Sequence, residues 1–515
     1  MLKNISILVI TSLLLYSCSS NNPKEINDEK KDSTKITEEK IEEIDSFLYA
    51  FEQIKNDSLM SAASISIYIY DDSLQEVVFE HNPNLTLIPA STMKLVTTAT
   101  GLEILGSGRN FSTTVQYSGQ IIDGHILDGD IYIKGGGDPG LGSKYFKNTY
   151  GSFISKWANS ILSLGIDSIT GRVIADARIF SLEYVPTTWS YGETGDYYCT
   201  AASGLSAYDN RYELTFYGNN KNILKGTKNN LKPFIPDFYF ENKTTVVSGK
   251  KQAVYFLGEP YSHKRILKGN IPVGNKSYSL EASIPDPPYL LAYQLTEKLK
   301  NSGVKIGNKP NTLRRLKYEN DSVYKYAISQ KRTAIISQYS PSVASIVGVT
   351  NRVSNNLFAE HLLAHMGLKK YGIGDAEAGT KAVVLFWKNK GLDIRGMNIY
   401  DGSGISRYNS LTAKQLVSVI LYMKDSSKNF NTYYNSLAIS GKSGTLRSFC
   451  DGTDAEGKIK AKSGTMSRVR SYAGFVETNS GRNLIFAFTI NNYSCHTSET
   501  KIMMENFMTK LVEYR

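Results

Sequence analysis

The chain has 515 residues, of which 41% are hydrophobic and 21% charged, the composition of an ordinary globular protein, and its length is too great for one simple core, so two to four domains are expected. The formal charge of +11 favours anionic surroundings such as nucleic acid, anionic lipid or an acidic wall polymer. No arginine-rich tract or nucleic-acid motif accompanies it, which makes nucleic acid the least favoured of the three.

Lys3 precedes an apolar run from Ile5 to Leu15, too short to span a bilayer and suited to a signal-peptide core. The run ends in Leu15-Tyr16-Ser17-Cys18, which resembles a bacterial lipoprotein processing site. That resemblance implies removal of residues 1–17, lipidation of Cys18 and a membrane-tethered, extracytoplasmic (periplasmic) protein. A plain secretory signal with an incidental cysteine is the alternative. Residues 18–40 are mostly Ser, Asn, Asp, Lys and Glu and read as a disordered tether. With Cys18 so assigned, Cys199, Cys450 and Cys495 remain, an odd number that permits at most one disulfide. Cys450 and Cys495 flank the C-terminal hairpin and are the expected pair. No Cys/His spacing suggests structural zinc.

Ile41, Ile44, Phe47, Leu48, Phe51 and Ile54 recur at helical spacing and predict a first amphipathic helix. Ser64 to Tyr70 and Val77 to Glu80 predict a hairpin. Next comes Ile88-Pro89-Ala90-Ser91-Thr92-Met93-Lys94, a strand or loop entering a buried helix that Gly106 ends. From there to about Pro288 short alternating segments dominate: Phe111 to Tyr117, Asp130 to Lys134, Ser168 to Ala175, Tyr212 to Tyr217 and Ala253 to Leu257 read as strands. Helices are expected over Tyr289 to Leu299, Val343 to Asn351 and Leu357 to Leu368. Strands follow over Lys458 to Met466, Arg470 to Glu477 and Asn483 to Ile490, and a final helix over Met503 to Val512. The pattern predicts an α/β catalytic domain built from residues 41–108 and 330–515, split by a β-rich insertion of one or two subdomains over 109–329.

Three short motifs carry chemistry. Ser91 and Lys94 are three apart on one helical face, within reach for the amine to take the hydroxyl proton. Ser354-x-Asn356 lies between two helices, and Lys462-Ser463-Gly464-Thr465 opens a strand facing a hairpin. In this order the set resembles the penicillin-recognising serine acyltransferases. Gly135-Gly136-Gly137-Asp138-Pro139, the run from Ser354 to Glu360, the segment from Asp401 to Arg407, and the large insertion sharpen the resemblance to the class C low-molecular-mass penicillin-binding proteins. From about Leu48 to the C-terminus the chain is similar to that family of D-alanyl-D-alanine carboxypeptidases and DD-endopeptidases.

The resemblance implies a serine β-lactamase/DD-transpeptidase-like fold and hydrolysis of peptidoglycan stem peptides through an acyl-serine, with β-lactams as covalent inhibitors and with neither metal nor cofactor. It implies Ser91 as nucleophile, Lys94 as its base, Ser354 as proton relay, and Asn356 as a support for Lys94 and a partner of the substrate amide. Lys462, Ser463 and Thr465 would receive the terminal carboxylate beside Gly464, with the backbone N–H groups of Ser91 and Thr465 as oxyanion hole. Arg407, Trp189 and Asp196 fall where relatives line a pocket for a second substrate carboxylate, and surface or packing roles are the alternative for all three. The third motif often reads Lys-Thr-Gly; here it is Lys-Ser-Gly. Lys442-Ser443-Gly444-Thr445 repeats the tetrad twenty residues earlier, but lacks a following alternation, so Lys462 is preferred.

Two further patterns argue against themselves. Gly135-x-Gly137-x-x-Gly140 fits a dinucleotide fingerprint, yet Pro139 and the missing helix favour a tight turn. His361 and His365 are spaced as metal ligands but lack the Glu of H-E-x-x-H. The rival readings are a β-lactamase or esterase on the same scaffold and a non-catalytic peptidoglycan-binding lipoprotein.

Overall fold

The computed structural model describes residues 49–183, 185–217, 224–225, 229–248, 253–273 and 277–515. Cys18, the expected signal peptide, the tether and the start of the first helix lie outside the described residues. That helix is described from 49 to 56.

The two ends of the chain meet in one antiparallel sheet of six strands. In order across the sheet these are Ala438–Ile439, Ile459–Met466, Val469–Glu477, Asn483–Asn491, Ser64–Asp71 and Glu76–His81. Alternation divides the Ser64–Asp71 strand between two cores. Ile65, Ile67 and Ile69 face Phe51, Met504, Phe507 and Leu511, so the first and last helices cover one face. Tyr68 turns to the other face with Met93, Val96, Leu357 and Ile420.

The helix of the first motif, Met93–Leu105, runs through this second core, with twelve of its thirteen residues buried. Its threonines are accommodated because Thr98 and Thr100 return their hydroxyls to backbone carbonyls one turn back, and Thr97 donates to Gly402 O. The neighbouring helix Val343–Val353 is tied to it by Asn351, whose Nδ2 donates to Thr98 Oγ1 at 3.1 Å and to Ser436 Oγ at 2.8 Å.

Between Leu105 and Ser342 the chain builds further sheets. The largest has five strands in the order Asn311–Thr312, Val173–Asp176, Ile131–Lys134, Ser112–Ser118 and Arg332–Tyr339. Arg332–Tyr339 pairs with Ser112–Ser118, so residues 332–339 lie on the inserted side of the chain. The strand expected over Ser168 to Ala175 is two. Ser168–Ile169 pairs in parallel with Ile126–Asp128, whereas Val173–Asp176 pairs with Ile131–Lys134 in a different sheet. Gly171 marks the break: a Cβ there would lie 2.2 Å from Asp130 Oδ1, which accepts the Arg172 N–H at 2.8 Å. The block also holds a helix that the strand-like texture concealed, Phe153–Leu162. Phe153, Trp157 and Ile161, four apart, bury its inner face against Val115 and Leu295.

The expected disulfide is absent: Cys199, Cys450 and Cys495 are free thiols. Cys450 Sγ lies 4.0 Å from Glu505 O, and Cys495 Sγ lies 3.1 Å from Thr500 Oγ1. Those partners are five residues apart on the last helix, about 7.5 Å along its axis, and each sulfur stays on its own partner.

The two patterns set aside above meet each other. His365 Nε2 lies 2.8 Å from Gly137 O, and His361 is held between Leu357 O and Ser203 O. Burial drives both imidazoles towards the neutral form. A Cβ on Gly137, at φ +75°, would strike the His365 ring, so this glycine serves the seam between insertion and catalytic body.

Candidate active site

Pro89 discourages helix before the first motif, and a 3₁₀ turn over Ala90–Thr92 leads into the helix at Met93. Ala90 holds φ +46°, an uncommon conformation for alanine that costs roughly 1 kcal/mol. The buried Ser471 hydroxyl donates to Pro89 O at 2.6 Å, and Thr92 Oγ1 donates to the same oxygen at 2.7 Å. The bend before Ser91 is thus fixed from both sides.

Lys94 is wholly buried. Its Nζ is 2.9 Å from Ser91 Oγ and 2.5 Å from Ser403 O. Burial lowers its pKa to about 7, against the opposing pull of the Asp401 and Glu360 carboxylates. A large share of Lys94 is therefore neutral near pH 7, with a lone pair available to the Ser91 hydroxyl.

Burial distinguishes the two lysine tetrads. Lys442 is exposed, whereas Lys462 is completely buried on its strand. Lys462 has its pKa pushed well down by burial and then by the charge of Lys94. The charge of Lys94 reaches Lys462 because the two side chains lie near one another. Lys462 Nζ donates to Ser463 O at 2.6 Å. Gly464 lets the strand close on Ser91, since a Cβ there would be 2.2 Å from Ser471 Oγ and 2.9 Å from the Ser91 nitrogen. The earlier tetrad is not idle: Ser463 Oγ donates to Thr445 Oγ1 at 2.7 Å. Thr465 is exposed and takes a hydrogen bond from Arg470 Nη1 at 3.2 Å.

The second motif departs from expectation in one contact. Ser354 ends the Val343–Val353 helix at φ +61°, and Asn355 caps the next helix by accepting the Phe358 N–H at 3.1 Å. Asn356 is therefore a first-turn helical residue. Its Nδ2 donates to Tyr198 O at 2.6 Å rather than meeting Lys94. The support for Lys94 comes instead from Ser403 O. Asn356 Oδ1 is buried and accepts no hydrogen bond from the described residues.

Of the three residues expected to line a further pocket, Arg407 is exposed, with Nη1 3.4 Å from Ser467 O. It also lowers the pKa of Glu193 against the larger effect of burial, so the insertion reaches this loop. Trp189 is buried and donates its Nε1–H to Asp401 Oδ2 at 2.8 Å. Asp196 Oδ1 accepts the Phe256 N–H at 3.2 Å. The last two carry packing and loop-building contacts.

Sequence reasoning assigned no role to Asp401, Ser403 or Glu360. A signal was present: Glu360 is a carboxylate in a helix turn whose other residues, His361 apart, are the apolar Leu357, Phe358, Ala359, Leu362 and Leu363, and such a residue is rarely buried without partners.

The family model described as the D-Ala-D-Ala carboxypeptidase 3 (S13) family matches residues 49–511. The chain belongs to this family. It is a serine-type carboxypeptidase by that membership. A D-alanyl-D-alanine carboxypeptidase from Actinomadura sp. strain R39 is 26% identical over 478 residues, 90% of this chain and 83% of that protein. The D-alanyl-D-alanine carboxypeptidase DacB of Haemophilus influenzae is 22% identical over 432 residues, 83% of this chain and 85% of that one. The crystal structure of penicillin binding protein 4 (dacB) from Haemophilus influenzae shares the fold, with a TM-score of 0.72 at 20% identity over 88% of this chain and 97% of that one.

Proposed function

We propose that this S13 enzyme hydrolyses the D-Ala-D-Ala bond of peptidoglycan stem peptides, and the equivalent bond of cross-linked peptides, through an acyl group on Ser91. The observation that carries the assignment is a buried amine, Lys94 Nζ, 2.9 Å from the Ser91 hydroxyl with a pKa lowered to about 7.

In this reading neutral Lys94 takes the Ser91 proton as Oγ attacks the carbonyl of the penultimate D-alanine. The oxyanion is received by the N–H groups of Ser91 and Thr465, each worth about 3 kcal/mol of barrier if comparable to other such donors. Gly464 supports this placement, because only a residue without Cβ lets the strand approach the Ser91 amide. Ser354 relays the proton to the departing D-alanine nitrogen, and the C–N bond breaks. Water then hydrolyses the ester and returns the Ser91 hydroxyl. The unpaired Oδ1 of Asn356 is suited to accept the substrate amide N–H.

Lys462, Ser463 and Thr465 receive the terminal carboxylate. An arriving carboxylate favours the charged form of Lys462 and so offsets its burial; the ammonium thus formed disfavours a proton on Lys94. Substrate binding thereby helps to ready the base. Arg407, the exposed cation of the 401–407 loop, takes a second carboxylate on a diamino acid side chain, with Trp189 and Asp196 shaping the wall. Penicillins, which carry a carboxylate beside a strained amide, acylate the same serine. The segment around Cys18 supports a lipid-anchored protein exported to the periplasm.

The deciding experiment is labelling of the purified protein with a fluorescent penicillin, alongside Ser91→Ala, with release of D-alanine from a D-Ala-D-Ala peptide measured in parallel. The native protein is expected to label stoichiometrically and the variant not at all. Labelling that survives the substitution removes Ser91 as nucleophile.

A further inference from the structure

The loop that carries Ser403 is held by two buried carboxylates, neither of which takes part in bond making. Asp401 binds the loop to itself: its oxygens accept the N–H groups of Gly404 at 2.7 Å and Ser406 at 2.6 Å, the Asn409 amide at 2.8 Å and the Trp189 indole. Glu360 holds the loop from outside, across from its own helix. Its Oε1 accepts the Ser403 N–H at 2.8 Å and the Gly402 N–H at 3.1 Å, and Oε2 lies 3.2 Å from the latter nitrogen.

The same short stretch is pressed onto the Ser91 helix. Thr97 Oγ1 donates to Gly402 O at 2.7 Å. A Cβ on Gly404, at φ +85°, would fall 1.9 Å from Ala90 O. Ser403 is thus fixed through both ends of its backbone, its N–H on Glu360 and its C=O 2.5 Å from Lys94 Nζ. With one amine hydrogen committed to that carbonyl, the amine lone pair is left for Ser91.

We propose that Glu360 is a positioning residue: by accepting the Gly402 and Ser403 N–H groups it seats the Ser403 carbonyl on Lys94 and so aims the amine at the Ser91 hydroxyl. This rests on Lys94 being the base for Ser91. The charged groups that bear on Lys94 are Asp401 and Glu360, which favour its proton; the charge of Lys94 in turn disfavours a proton on Lys462. Glu360 has its own proton affinity raised by burial and by Asp401, so its task is hydrogen-bond geometry, which a neutral acceptor performs as well.

The test compares Glu360→Gln and Glu360→Asp in the full chain, by the second-order rate of Ser91 acylation with fluorescent penicillin between pH 5 and 9. Glutamine keeps an acceptor at full reach and is expected to stay within about fivefold of the native rate. Aspartate keeps the charge but withdraws the acceptor by one methylene, and a misplacement of about 1 Å is expected to cost about 100-fold. Its acid limb should also move to lower pH, because the Lys94 ammonium has lost part of its seat. Aspartate at the native rate, glutamine losing as much as aspartate, or an unmoved acid limb in the aspartate variant each overturns the proposal. Failure of the native protein to label would instead overturn the reading on which it rests.

Discussion

Gly464 stands so close to Ser91 that a methyl group on its Cα would lie 2.9 Å from the Ser91 nitrogen, 2.6 Å from Pro89 O and 2.2 Å from Ser471 Oγ. Two of these three neighbours are backbone atoms of a bend that is itself pinned, so the strand must yield. Gly464→Ala is therefore expected to move the Thr465 amide off the proposed oxyanion site and to lower acylation by penicillin at least about 100-fold. The cost in stability should be about 1–3 kcal/mol, as for other overpacked sites. Acylation rates and thermal unfolding measured side by side check both numbers.

Lys94 makes the pH dependence explicit. Acylation should rise through an acid limb near pH 7, where the amine loses its proton. The same shift bears on folding. The folded pKa lies below the ordinary lysine value, so between about pH 7 and pH 10 the unfolded chain binds more protons at this position, and its contribution to stability rises with pH. Lys94→Met removes that penalty along with the proposed base. It is expected to abolish labelling and to raise the unfolding midpoint at pH 7, and less so at pH 10. A lower midpoint at pH 7 would contradict the account.

Thr445 tests whether the earlier tetrad has been recruited to the site. Its hydroxyl accepts from Ser463 at 2.7 Å. Thr445→Val leaves the Ser463 hydroxyl unconstrained and is expected to raise KM for a D-Ala-D-Ala peptide about threefold to tenfold, roughly 1 kcal/mol, with kcat nearly unchanged. Lys442→Ala, on an exposed side chain of the same tetrad, should leave both constants as they are.

The three thiols offer a chemical check of the fold. Since Cys199, Cys450 and Cys495 are free, reductant is expected to leave the unfolding midpoint unchanged. Alkylation of denatured but unreduced protein should modify all three. Protection of Cys450 and Cys495 from alkylation would restore the disulfide.

Local physics made much of this protein legible in its sequence. The buried helix after Pro89, the alternation that splits Ile65, Ile67 and Ile69 from Tyr68, and the C-terminal hairpin all follow from periodicity, because side-chain direction repeats every 3.6 or 2 residues. Ser91 and Lys94 could be paired for the same reason: three residues of helix fix their separation whatever surrounds them. Tertiary structure alone decided what depends on burial and on encounters between distant segments. Lys462 and Lys442 share one tetrad; the alternation after Lys462 favoured it, and the structure adds that Lys462 is excluded from water whereas Lys442 is exposed. The carbonyl that holds Lys94 comes from Ser403, more than three hundred positions away, and a backbone oxygen has no side-chain letter to announce it. The Cys450 thiol likewise looked pairable in one dimension, but it and Cys495 contact residues more than a turn apart on the last helix.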